Sequence, residues 1–111
     1  MIYILMFEQP IGSAKHSAQF YVRYCNDGML TWRLKHHRAG TGAAITRYAA
    51  RHNIAFDVIH TEPGDWARER EIKNLKNTRK YLQNLGVLDE QGKLIPKRKR
   101  AKHTHKEQQN A

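Results

Sequence analysis

One continuous apolar run, IYILMF at residues 2–7, most constrains how this chain folds. It is made of β-forming residues, so it predicts a buried strand. A chain of 111 residues has room for one domain with a modest core. QFYVRYC, 19–25, is aromatic and β-branched and predicts a second strand. Between them EQPIGSAKHSA, 8–18, carries Pro, Gly and Ser and reads as a loop, giving an antiparallel hairpin.

Helical patterning follows. Asn26 or Asp27 is placed to cap a helix running to Ala39, with Gly40 just past its end. Thr41 is placed to cap another, with Ala44, Ile45, Tyr48 and Ala49 as its apolar face. IAFDVIH, 54–60, returns as a strand. Asp65 caps a helix from Trp66 to about Asn77, which bends and continues to Gly86. VLDEQGKLI, 87–95, has a turn centred on Glu90–Gly92 and predicts a small exposed hairpin. The order is ββααβα: an α/β or α+β domain with a small three-stranded sheet, mixed or antiparallel, flanked by helices. The division is a main domain over 1–86, the hairpin-like extension over 87–95 and a basic tail over 96–111. The tail has nothing apolar to bury and is expected to be disordered.

The formal net charge is +10, and half of the excess lies in residues 96–111. Such a balance favours polyanions, nucleic acid first and an acidic membrane surface second. Cys25 is the only cysteine, so no intrachain disulfide and no cysteine zinc cluster is expected, and a cytoplasmic setting suits the chain. No apolar run approaches the ~20 residues of a membrane span, and MIYILMF is too short for a secretory leader.

TWRLKHHRAG, 31–40, puts Leu30 and Leu34 on an apolar stripe and Arg33 and His37, also four apart, along its flank. With Tyr3, Tyr21 and Glu69 these form an inventory suited to phosphodiester cleavage. An arginine offers a permanent bidentate phosphate contact, a carboxylate holds a divalent ion, and phenol or imidazole moves protons where neighbours shift its pKa. Each residue also has a plain structural use: strand packing for the tyrosines, a helix flank for Arg33, the helix dipole for His37, and a pair with Lys73 for Glu69.

In order and spacing the chain resembles the GIY-YIG nucleases, in particular short stand-alone members, over about residues 1–77. IYIL at 2–5 stands where that family has its first motif and FYVRY at 20–24 where it has its second. WRLKHHRAG at 32–40 resembles the family's arginine helix, and PGDWARERE with IKNLKN the surroundings of its metal-binding glutamate. The resemblance implies an endonuclease that hydrolyses DNA with one divalent metal, Mg²⁺ or Mn²⁺, held by Glu69. It implies Arg33 as phosphate clamp, Tyr3 as general base or water-orienting group, and Tyr21 and His37 as helpers. Asn77, or else Asn84, is the candidate for an asparagine that follows the glutamate in many members.

Met1 stands in place of the first motif's glycine and Arg23 in place of the second's. An arginine there either faces away and adds a phosphate contact or faces inward and fills the site. The nucleic-acid contacts expected are Arg23, Lys35, Arg38, Lys73, Lys76, Asn77, Lys97, Arg98, Lys99 and Arg100. No separate recognition domain fits, so intrinsic sequence specificity is expected to be low. A partner protein or homo-oligomer is the expected source of any added specificity, and a nick, or cleavage of branched or single-stranded DNA, suits a monomer better than a double-strand cut. The alternatives are a weakened or inactive nucleic-acid-binding module on the same fold, and a basic adaptor of a nucleoprotein complex. The remaining histidines are expected to be structural or solvated, and Trp32 and Trp66 to be packing anchors.

Overall fold

The computed structural model describes residues 1–13 and 17–100. Two strands, β1 (Ile2–Gly12) and β2 (Ser17–Tyr24), lead into helices α1 (Leu30–Ala39) and α2 (Ala44–Arg51). Strand β3 (Phe56–Glu62) follows, then α3 (Trp66–Asn74), α4 (Thr78–Asn84) and a 3₁₀ turn at Lys97–Lys99. The sheet order is β2-β1-β3, and β1 is antiparallel to both neighbours. The class is α+β in the expected order, and the sheet is wholly antiparallel.

The central place of β1 follows from its composition. Ile2, Tyr3, Ile4, Leu5 and Phe7 are all fully buried. Alternation sends them to opposite faces. Ile2 and Ile4 join Val22, Ile59, Ile72, Leu82, Val87 and Leu88 in a core roofed by α3 and α4. Tyr3 and Leu5 join Cys25 beneath Leu30 and Leu34 of α1. Phe7 packs with Ala49 and Ile54 under α2. The sheet is thus the middle layer of three; Tyr3 and Tyr21 face α1, while Tyr24 packs on the α3–α4 side.

Several expectations are corrected. The segment 8–12 extends β1 rather than forming a loop. Pairing resumes at Ile11–Ala18 and Gly12–Ser17 after an irregularity, and Pro10 falls in the interrupted stretch, where a ladder N–H is not needed. Neither Asn26 nor Asp27 caps α1: a turn closed by Met29 N–H on the Asn26 carbonyl intervenes, and the helix starts at Leu30. Thr41 does not open α2. Its hydroxyl turns back to the His36 carbonyl (3.2 Å) and closes the end of α1 beside Gly40. In α2 the buried residues are Thr46 and Ala49, while Ala44 and Tyr48 are exposed.

Asp65 caps α3 as expected, accepting from Ala67 N–H (2.9 Å). Beyond it the helix breaks rather than bends. Lys76 adopts a left-handed conformation (φ 56°), and Asn77 caps a separate α4 by accepting from Lys80 N–H (3.0 Å). The 87–95 turn forms one antiparallel bridge, Leu88 with Leu94, but its first arm lies in the core, so it is exposed only beyond Leu88. Arg100, expected in a free tail, donates to the carbonyls of Ile95 (2.8 Å) and Ile59 (3.4 Å). Residues 101–111 lie outside the described residues.

Candidate functional site

Helix α1 carries three side-chain rows. Leu30 and Leu34 pack downward onto Tyr3, Leu5 and Cys25. One step around, Arg33 and His37 border a cleft, and a further step around, Trp32 and His36 form its rim. The cleft has a volume of about 330 Å³ and is completed by Tyr21 and Arg23 from β2 and by Thr41–Ala43. The arginine and histidine lie along the packing edge because that edge is also the wall of this cleft.

At its floor a chain of hydrogen bonds fixes one tautomer. Thr46 commits its hydroxyl proton to the Ala43 carbonyl (3.0 Å). Its oxygen therefore accepts from His37 Nδ1–H (3.0 Å). That leaves Nε2 with a lone pair, which accepts from the Tyr3 hydroxyl (2.8 Å). Burial, then Arg33, Arg23 and His36, push the His37 pKa down, so the ring is neutral near pH 7. Burial, reinforced by Tyr21, drives the Tyr3 phenol well above its ordinary value. Burial also raises Tyr21, with Arg23 opposing it and Glu69 adding to it.

Tyr3 is fully buried and does not border the cleft. This differs from its expected place at the reacting centre: the central strand puts it under the α1 core, so the phenol facing the cleft is Tyr21. Among the described residues no acidic group pairs with Arg33, and the Tyr21 hydroxyl has no hydrogen-bond partner.

Glu69 approaches from the other side of the sheet. Strand β2 is an edge, and its Tyr24 N–H points away from β1. Glu69 Oε1 accepts that N–H at 3.0 Å. Its Oε2 lies 3.1 Å from Lys73 Nζ and 3.5 Å from Arg23 Nη1. Arg23 therefore faces inward, bridging the cleft and the carboxylate. The Glu69 side chain is 3 % exposed, while those of Arg23 and Lys73 are 38 % and 40 % exposed.

Among the described residues no three His, Cys, Asp or Glu gather as a metal cage. Glu69 fits a divalent ion only as a single ligand through Oε2, in exchange for the two cations now beside it. Both cationic side chains are open enough to solvent to swing aside. Glu69 carries one negative charge against their two positive ones, so further positive charge is favoured there only when an anion such as phosphate arrives with it.

Other expected contacts are dispersed. Lys35 is exposed on α1, and Arg38 pairs with Asp57 at 3.0 Å. Lys76 and Asn77 belong to the break between α3 and α4, and Asn77 is occupied as a cap. Asn84 ends α4 in solvent. Lys97–Arg100 sit against β3, at the sheet edge opposite β2. Trp32 and Trp66, expected to be packing anchors, are 51 % and 59 % exposed. Sequence reasoning missed Thr46, buried and holding His37, and Gly42, on which the His37 ring rests. It also missed Glu62, which accepts from Tyr81 and Arg68 and pairs with His60. No helix of the described residues is long and apolar enough to cross a membrane. Comparison of the chain with known families, curated proteins and solved structures finds no match.

Proposed function

We propose that this chain is a metal-dependent endonuclease of the GIY-YIG type, cytoplasmic, hydrolysing phosphodiester bonds in DNA with little sequence preference of its own. The observation that carries this reading is the cleft itself. An Arg33 guanidinium without an acidic partner and a Tyr21 hydroxyl without a hydrogen-bond partner among the described residues share one open hollow, with the Glu69 carboxylate reached through Arg23.

Arg33 binds the scissile phosphate and offsets the charge that builds on it. Tyr21, whose raised pKa keeps it protonated, orients the attacking water by hydrogen bonding rather than as a phenolate. Tyr3 and Thr46 are positioning residues: they clamp His37 in its neutral Nδ1–H form with both ring nitrogens committed, so His37 helps as a rigid neutral wall of the cleft. Glu69 would hold Mg²⁺ or Mn²⁺, which supplies Lewis acidity and a bound water when present. Arg23, drawn from Oε2 to an incoming phosphate, frees that oxygen.

A second reading has its own support. With Arg23 and Lys73 both on Glu69, the same cleft serves as a binding module without cleavage. Cleavage of supercoiled plasmid and of a DNA single strand in Mg²⁺ or Mn²⁺ separates them. Under the first reading Glu69→Ala and Arg33→Ala each lose on the order of 10²–10³-fold in rate, and Arg23→Gly cleaves at least as fast as the parent. DNA binding without nicking, in the parent and in Arg23→Gly, carries the second. Nicking that survives both alanine changes overturns the assigned site.

A further inference from the structure

Trp32 is 51 % exposed, and its ring centroid lies 4.1 Å from that of His36, one helical turn on. Both rings stand at the rim of the cleft that holds Arg23 and Arg33. A large indole left half in water, with a second ring beside it and two guanidinium groups within the same hollow, is poorly explained as packing. We infer that the Trp32 indole, braced by the His36 ring tilted 48° against it, is a stacking platform for one unpaired base of DNA, the adjoining phosphates lying on Arg33 and Arg23. The substrate class is then single-stranded or locally unpaired DNA, not intact duplex.

Size and charge support this occupant. A hollow of about 330 Å³ is at the small end of ligand pockets, roughly 300–1,000 Å³, and suits one nucleotide rather than a base pair. A base inside a duplex has both faces covered by its neighbours, so only an unpaired or extruded base offers a free face to an indole. The guanidinium groups complement the backbone on either side of that base. The inference rests on the proposed function only in taking DNA as the ligand; it does not need cleavage to occur.

Binding is measured in EDTA, so that no strand is cut, with four labelled probes of one length. These are a mixed-sequence DNA single strand, its duplex, the same strand with abasic sites, and the RNA single strand. The DNA single strand is expected to bind more tightly than the duplex and than the abasic strand. Trp32→Ala is expected to weaken the single strand by roughly 5- to 150-fold while barely changing the abasic strand. Trp32→Phe keeps most of the affinity, and Trp66→Ala, outside the cleft, serves as the control.

An equal effect of Trp32→Ala on intact and abasic strands overturns the platform. Tighter binding of the duplex overturns the substrate class, and tighter binding of the RNA overturns DNA as the ligand. Thermal unfolding of Trp32→Ala, expected to match the parent because the side chain is half in solvent, separates a lost contact from a lost fold. Single-strand binding that depends on Trp32 in a protein that never nicks leaves this inference standing and removes the cleavage reading. Nicking that ignores Trp32 does the reverse.

Discussion

Gly42 has ordinary backbone and no need of glycine's left-handed freedom, yet it is the residue whose replacement would most disturb the cleft floor. A Cβ built there would stand 2.6 Å from His37 Nδ1 and 3.1 Å from its Cε1. The ring cannot yield without losing the Thr46 bond on one nitrogen or the Tyr3 bond on the other, and both partners are buried. Gly42→Ala is therefore expected to destabilise the protein by about 1–3 kcal/mol, the usual cost of overpacking. It should also change the His37 ring resonances, including the tautomer signature of Nδ1. Thermal denaturation and nitrogen-15 ring shifts measure the two effects, and a variant with parental stability and an unmoved ring would refute the argument. His37 could be singled out in the sequence because it lies four residues from Arg33 on a recognisable helix. Its supports could not, because Thr46 and Gly42 reach it only after α2 folds back across α1.

At the level of elements, the sequence specifies those that make their own case and misplaces those decided by neighbours. β1 was legible because an unbroken apolar run has no other place than the middle of a sheet. The α3 start was legible from Asp65, a local cap. The α1 start was not, since the chain first makes a turn at Asn26–Met29, and α4 was merged with α3 because a left-handed Lys76 carries no sequence signature. Most hidden was the clasp that ties β3 to both terminal helices. Glu62 pairs with His60 and accepts hydrogen bonds from Arg68 of α3 and from the Tyr81 hydroxyl of α4. Burial alone would raise its pKa, but those three partners outweigh it and hold the carboxyl at about 2 against an ordinary 4.5. A depressed folded-state pKa contributes stability that is complete above about 4.5 and is lost as pH falls toward 2. Acid titration of the unfolding free energy should therefore show a limb between those values that Glu62→Gln lacks. At neutral pH the same substitution should cost about 1–3 kcal/mol through weakened bonds to Arg68 and Tyr81. An unchanged acid limb in Glu62→Gln would assign it to other carboxylates.

At the scale of the molecule, two of the expected basic groupings, the cleft arginines and the run at 97–100, lie at places that the sheet keeps apart. The cleft lies at the β2 edge with Arg23 and Arg33, while Lys97, Arg98, Lys99 and Arg100 lie at the β3 edge, where Arg100 is tied to the Ile95 and Ile59 carbonyls. Composition alone treats the basic run as a free arm able to reach any site. The anchoring of Arg100 instead keeps residues 97–100 at the far edge of the sheet, so under the proposed function they meet only DNA that passes there. Under the proposed function, contacts there would hold a polyanion without touching the bond that is cut, and so would govern affinity and its salt dependence. For duplex DNA each phosphate neutralised contributes a slope of about −0.9 in log K against log salt. Replacing Lys97, Arg98 and Lys99 together by alanine is expected to flatten that slope by up to about 3 units and to weaken binding at low salt. The lost cleavage should return when the DNA concentration is raised. Arg33→Ala should behave oppositely: about one unit of slope at most, and a cleavage defect that no DNA concentration repairs, because the proposed function puts its guanidinium on the reacting phosphate. Salt titrations of binding beside nicking rates at saturating DNA distinguish these patterns. If the triple variant loses cleavage that added DNA does not restore, the two edges act on the same phosphates and the division of charge fails.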